Sequence, residues 1–203
     1  MNERIKIVIN NLEKRKIPAK YFSTREEAEK EILRETKNFK NIGIGGSMTI
    51  MEMKLHETLA NKDKNVYWHW LVEPEERDET RRQAANADVY LTSTNALTEN
   101  GELVNIDGMG NRVSGMYYGP KKVIVLCGVN KICHDLVSAM DRIKKEACPP
   151  NAKRLGLKTP CSITGSCNDC LSEERMCNVT VIINHKPMAV DLKVYIIGES
   201  LGY

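Results

Sequence analysis

The sequence predicts an α/β fold: a mostly parallel sheet with flanking helices, opened by an N-terminal helical segment and interrupted late by a cysteine-rich loop insertion. Three observations predict it. From Asn41 onward, short apolar runs alternate with helical stripes. The run Val123-Ile124-Val125-Leu126-Cys127-Gly128 is unbroken, as in a strand covered on both faces of a parallel sheet. Residues 148–178 then lose apolar periodicity while carrying most of the cysteines. With 203 residues, 41% hydrophobic and 28% charged, the chain has material for one full core. A single domain is expected, with N-terminal helices over 1–40, the α/β core over 41–147, the cysteine-rich insertion over 148–178 and C-terminal strands over 179–203.

Ile5, Val8, Ile9 and Leu12 form one helical stripe that ends before Ile17-Pro18, with Lys14, Arg15 and Lys16 suiting its C-terminal end. Ser23 with Glu26 three residues on reads as the capping box of a second helix burying Ala28, Ile32 and Leu33. Ile42-Gly43-Ile44 is a short buried strand, and Gly45-Gly46-Ser47 turns it into a helix carrying Met48, Met51, Leu55 and Leu59. Val66-Tyr67-Trp68 is the next strand. Pro74 opens a helix with acids early and Arg81 and Arg82 late, complementing the helix dipole. Ala87 to Thr92 returns to strand, and Leu97 to Ile106 is a hairpin around Asn100-Gly101, a pair suited to positive φ. After the Val123 strand comes a helix with Leu136, Val137, Met140 and Ile143, and Val179 to Ile183 and Leu192 to Ile197 are the last strands.

Charge excludes some functions. The net charge is only +3, and eleven basic against seven acidic residues in 1–40 leave the rest of the chain at −1. The basic excess thus reads as solvated helix surface, and with 5% aromatic residues nothing suggests a nucleic-acid partner. No run of 18 apolar residues and no apolar leader occurs, so no membrane partner and a cytoplasmic location are expected. In a reducing compartment, clustered thiols are metal ligands or redox groups more often than disulfides.

Seven cysteines are present. Cys161, Cys167, Cys170 and Cys177 lie within 17 residues at spacings of five, two and six, among the turn-forming Gly165, Asn168, Asp169 and Asn178. Such thiols can converge on one centre. Zinc knuckles use two short Cys pairs, and only Cys167 and Cys170 form one here. A [4Fe-4S] cluster accepts wider spacings, and Arg175 and Lys158 suit its anionic core. Iron–sulfur is therefore favoured, with zinc as the alternative. Cys148 is a reserve ligand, read first as a helix-terminal residue; Cys127 is core, and Cys133 has no assignment. The four scattered histidines are not offered as ligands.

A second set of candidates follows the strands. Gly45, Gly46 and Ser47 place small residues and a hydroxyl where backbone N–H groups can meet an anion, although a plain turn with Ser47 as N-cap accounts for them equally. Thr92 and Asn95 follow another strand, and ligands in open α/β sheets lie beyond the carboxyl ends of parallel strands. Asp107, Asn111 and Arg112 add a polar, glycine-rich stretch: Asp107 to act on protons, Arg112 to bind carboxylate or phosphate.

Taken together, Ile42 to Thr49, the stretch Asp88 to Asp107 with Thr98-Glu99-Asn100-Gly101, Pro160 to Cys170, Arg175-Met176-Cys177-Asn178 and the ending Val194 to Gly202 resemble the LUD domain family, the lactate-utilisation proteins. The cysteine segment resembles its short, single-domain members. The resemblance implies a NagB/RpiA/CoA transferase-like fold, that of sugar-phosphate isomerases and CoA transferases. It also implies an iron–sulfur component that supports oxidation of lactate or a related 2-hydroxy acid together with oxidoreductase partner subunits. The chain lacks the ferredoxin-like domain of longer members. Within the wider superfamily, Glu99 resembles the CoA-transferase nucleophile, though Asn100-Gly101 is already explained by the hairpin. Alternatives are a small-anion sensor or scaffold with a structural metal, and a CoA transferase or an isomerase using the Gly45 turn for phosphate and Asp107 as base. A homo-oligomer is compatible with all of these.

Overall fold

The amphipathic stripe of Ile5, Val8 and Leu12 builds the first helix, α1 (Glu3–Lys14), capped by Asn2, whose side chain accepts from the Ile5 N–H at 3.0 Å. In this computed structural model, which describes residues 1–203, α1 leads into β1 (Ala19–Phe22) and α2 (Arg25–Thr36). There follow β2 (Asn41–Ile44), α3 (Met48–Glu52), α4 (Leu55–Ala60), β3 (Asn65–Tyr67), α5 (Arg77–Ala85) behind a 3-10 turn at Pro74–Glu76, and β4 (Val89–Ser93). The chain continues through β5 (Ala96–Thr98), β6 (Leu103–Asp107), α6 (Asn111–Tyr117), β7 (Lys122–Gly128) and β8 (Ile132–Cys133). The last elements are α7 (Leu136–Arg142), a π turn at Ile143–Ala147, α8 (Cys148–Arg154), α9 (Pro160–Thr164), β9 (Val179–Ile183) and β10 (Asp191–Ile197).

Six strands make a wholly parallel sheet in the order β1-β10-β7-β4-β2-β3. Period-two alternation divides its side chains between two cores. Ile42, Ile44, Val89, Leu91, Ile124, Leu126, Tyr195 and Ile197 meet α2, α3 and α4 on one face. On the other, Tyr90, Val123, Val125, Cys127, Leu192, Val194 and Ile196 meet α1, α6 and a second sheet. That second sheet has the order β8-β5-β6-β9. Its Leu97, Leu103, Ile132 and Ile183 face the main sheet, while Ala96, Val104 and Cys133 pack outward on Ala139, Ile143, Ala147 and Cys148. No helix is long and apolar enough to cross a membrane.

The α/β class, the mostly parallel sheet and the flanking helices agree with expectation. Several details do not. The Asn100-Gly101 hairpin exists as expected, with Gly101 at φ 86°, but it belongs to a second, separate sheet. The N-cap of α2 is Thr24, not Ser23: Thr24 Oγ1 accepts from the Glu27 N–H at 3.3 Å, and the Ser23 N–H donates to the Glu27 carboxylate at 2.8 Å. The helix expected after Ser47 is broken at Lys54, which sits in the left-handed region at φ 52°. Strands β1 and β8 have no counterpart in the sequence pattern, being short and without an apolar run. The insertion at 148–178 is not all loop, since α8 and α9 lie within it.

Candidate functional site

Because all six strands of the main sheet run the same way, their carboxyl ends share one edge, and segments leaving that edge line a cleft of about 430 Å³. Gly46 and Ser47 enter it after β2, Trp70 and His69 after β3, Ser93 to Asn95 after β4, Lys131 after β7 and Tyr203 after β10. The opposite wall is built by Asp107 to Arg112 and by Cys148, Arg154 and Arg175 to Cys177. Five cations line it, Arg81, Arg112, Lys131, Arg154 and Arg175, against two carboxylates, Asp107 and Glu174. The field inside favours an anion.

The expected residues take distinct places. Gly46, Ser47, Asn95, Asp107, Asn111 and Arg112 all line the cleft; Gly45 and Thr92 stand behind it. A Cβ on Gly45 would lie 2.8 Å from the Tyr90 hydroxyl and 3.0 Å from Thr92 Oγ1, so glycine is needed for the close approach of turn and sheet. Ser47 Oγ is engaged as the cap of α3, accepting from the Ile50 N–H at 3.3 Å. That helix has five residues, too few to supply much dipole.

Arg112 is also committed. Its guanidinium donates to Ser93 O at 3.1 Å, Asn105 Oδ1 at 2.7 Å, Asn95 Oδ1 at 3.0 Å and Ile106 O at 2.9 Å, and Nε lies 3.4 Å from Asp107 Oδ2. It clamps β4 to the segment after β6 and fixes the wall on which Asp107 stands. Asp107 Oδ1 accepts from the Gly110 N–H at 3.1 Å, whereas Oδ2 has no hydrogen-bond donor. Glu99 lies outside the cleft. It packs on α1, paired with Arg4 Nε at 2.7 Å and with His134 Nδ1 at 3.3 Å, so the structure does not bring it to the other candidates.

Several cleft residues carry no local sequence signal. Lys131 is buried on the floor, its Nζ donating to Thr49 Oγ1 at 2.9 Å and Ser93 Oγ at 3.0 Å. Burial pulls its pKa down to about 8. His69 is pulled down to about 4 by burial and then by Arg81 and Arg77, so its imidazole is neutral at pH 7. The Arg154 guanidinium lies over the Trp70 ring at 4.3 Å and donates to Tyr203 and Asn151, a cation–π wall that no motif announces.

The cysteine segment abuts this wall. Cys161, Cys167, Cys170 and Cys177 line one small hollow together with Arg175 and Met176. Arg175 organises the loop, donating to the carbonyls of Cys177, at 3.1 Å, and Cys170, and to Asp169 Oδ1 at 2.8 Å. Cys148, the first residue of α8, shares a hydrogen bond with Cys177 across 3.4 Å between sulfurs, so a helix-terminal position and a place beside the hollow are both true of it. That bond, with burial opposing it and Arg175 assisting, holds the Cys177 thiol below the ordinary thiol range. Cys127 is buried in β7, its thiol pushed up to about 12 by desolvation. Cys133 ends β8, buried, with its sulfur 3.6 Å from Lys131 O.

The LUD domain family model matches residues 5–197. No curated protein matches the chain. A crystal structure of a DUF162 family protein from Deinococcus radiodurans is similar in fold, with a TM-score of 0.56 at 12% identity over 98% of this chain and 100% of that one. Ribose 5-phosphate isomerase A from Methanocaldococcus jannaschii shows a partial likeness, TM-score 0.37 at 18% identity over 64% of this chain and 62% of that one. Because the family match spans nearly the whole chain, the protein belongs to the LUD domain family and is, at that level, of lactate-utilisation type.

Proposed function

We propose that this LUD domain protein is an iron–sulfur component supporting the oxidation of lactate or a related 2-hydroxy acid, with partner subunits completing the electron path. The observation that carries this reading is a shared wall: Arg175, Met176 and Cys177 line both the cationic cleft and the cysteine hollow. A small organic acid drawn to the cations would therefore sit beside the thiols.

The donor set fits a [4Fe-4S] cluster in number and kind. Cys161, Cys167, Cys170 and Cys177 would hold it, with the Arg175 guanidinium beside them and Cys148 in contact with Cys177. No three of these side chains stand close enough together to hold a single ion as they lie, so binding would draw the segment inward. When bound, the cluster supplies a one-electron carrier. Oxidising a hydroxyl to a carbonyl releases two electrons, which is why partner carriers belong to the proposal. The chain's own task is to bind and orient the acid with the cleft's polar groups, and Asp107 is the carboxylate we assign to proton uptake.

Purification without oxygen, followed by iron, sulfide and zinc analysis, tests the reading. About four iron and four sulfide per chain are expected, falling sharply on Cys170→Ser. Stoichiometric zinc without sulfide would favour a sensor or scaffold with a structural metal, and metal-free protein would remove the proposal.

A further inference from the structure

We propose that Cys148 and Cys177 close into a reversible disulfide when the cysteine hollow holds no metal, and that this bond withholds Cys177 from the four-thiol set. The bond itself needs no metal; its effect on the hollow rests on the reading that the hollow holds a cluster.

The first observation is contact. All seven cysteines are free thiols, and Cys148 and Cys177 are the one pair joined by a hydrogen bond, with 3.4 Å between sulfurs. No atom fits between them. A disulfide bond is about 2 Å long, so roughly 1.4 Å of closure by the two side chains forms it. Both sides are anchored. Cys148 is buried among Ala139, Ile143 and Ala147, and Pro149 and Pro150 fix the backbone that follows it. Across from it, Cys177 O accepts from Arg175 Nε at 3.1 Å, and the Asn178 N–H donates to Asp107 O at 3.0 Å. Asn151 of α8 also spans the gap, donating to Met176 Sδ at 3.2 Å. Two thiols held face to face on anchored segments meet at high effective concentration.

The second observation is position. Cys177 lines both the cleft and the hollow, whereas Cys148 lines the cleft alone. A bond to Cys148 therefore directs the Cys177 sulfur to the cleft side of the shared wall, where none of the other three thiols stands. Access also differs, Cys177 being half-buried and Cys148 buried. With a small disulfide as oxidant, that order of access sets the order of steps. The Cys177 thiol gives its proton to water, and its sulfur attacks one sulfur of the oxidant, whose S–S bond breaks as one thiolate leaves with the electron pair. Cys148, too enclosed to meet the oxidant itself, then loses its proton and attacks the Cys177 sulfur, forming the intramolecular bond and expelling the second thiolate. The two protein thiols give up two electrons and two protons, and the oxidant takes them up as two small thiols.

Incubating the full chain with oxidised glutathione, capping the remaining thiols with N-ethylmaleimide and mapping peptides by mass spectrometry tests this, with iron and sulfide measured on the same samples. In chains stripped of metal, two of the seven thiols should be lost together, the Cys148-to-Cys177 cross-link should dominate, and dithiothreitol should restore both thiols. Cys148→Ser should instead hold one glutathione at Cys177, and Cys177→Ser should leave Cys148 unmodified. Metal-bearing chains should resist the oxidant or lose iron as the bond forms. A different dominant pair, such as Cys167 with Cys170, or a lasting glutathione adduct on Cys177 of the native chain would overturn the disulfide. Chains that form the bond and keep their iron and sulfide would overturn the withholding of Cys177. Chains that form the bond yet carry no metal from anaerobic purification would sustain the disulfide and remove the cluster reading, and the withholding with it. Thermal melts check that the variants fold; should Cys148→Ser not fold, Cys148→Ala replaces it, and the cross-link map of the native chain is decisive without either.

Discussion

At the scale of single residues, Lys131 is a buried charge that works against stability. Its pKa falls from 10.5 to about 8 on folding, so between those values the unfolded chain binds more protons than the native one. Stability of the ligand-free protein should therefore rise as pH increases from about 8 to 10.5, and the full penalty, about 3 kcal/mol at most, should be present below 8. Lys131→Met should remove that pH dependence and raise the melting temperature. The hydroxyls it abandons keep other acceptors, Thr49 Oγ1 donating to Leu201 O at 3.1 Å and Ser93 Oγ to Thr94 O at 3.2 Å. Thermal melts of variant and native chain across this range check the claim; a variant less stable than native at pH 7 would contradict it. Lys131 was not legible as a site residue. In sequence, nothing distinguishes this lysine from the other charged residues. Its burial follows from tertiary packing: Asn130 binds Leu201 N and Gly202 O, which draws the C-terminal tail over it. Ser47, Asn95, Asp107 and Arg112 were legible because small and polar residues directly after strand-forming runs carry a local signal.

At the scale of elements, two contacts set how helices seat on the main sheet. Gly43 in β2 lies under α5 so closely that an added Cβ would stand 2.1 Å from Ala84 O. Gly43→Ala should cost about 1–3 kcal/mol, read as a lowered denaturant midpoint with unchanged slope, because backbone cannot yield as a side-chain tip can. Glu35 ties α2 to two strands, accepting from Lys122 Nζ at 2.8 Å, Lys193 Nζ at 2.9 Å and the Tyr195 hydroxyl at 3.1 Å. Burial opposes its ionisation, yet the two lysines prevail and hold it near 2. Its contribution is thus fully present above pH 4.5 and is lost as pH falls toward 2. Glu35→Gln should destabilise the protein by about 2 kcal/mol at pH 7 and by far less near pH 2, as measured by urea unfolding at both values. Most helices and long strands were legible from periodicity. β1 was not: its four residues have no buried position, and pairing with β10 alone makes it a strand. The Lys54 break carries no sequence signal, because neither Gly nor Pro marks it.

At the scale of the whole molecule, the parallel sheet explains why distant segments meet: every strand of it delivers its following loop to the same edge. The cysteine segment, separated from the Gly45 turn by more than a hundred residues, arrives at the same cleft because β9 pairs with β6 and carries Cys177 and Asn178 against Asp107 and Gly108. The sequence spacing suggested that four thiols converge, but their meeting with the cleft depends on that long-range pairing and could not be read locally. Arg175→Ala should loosen the segment without removing a thiol; we expect cluster loss in air to accelerate while the melting temperature of the core changes little, followed by visible absorbance and circular dichroism.

The central claim is that an iron–sulfur centre and an organic-acid cleft share one wall. Electron paramagnetic resonance of the anaerobically purified, chemically reduced protein, recorded with and without lactate, tests it most directly. The account predicts a [4Fe-4S] signal whose shape changes on adding lactate. A protein with no such signal, or a signal indifferent to lactate at saturating occupancy of the cleft, would contradict it.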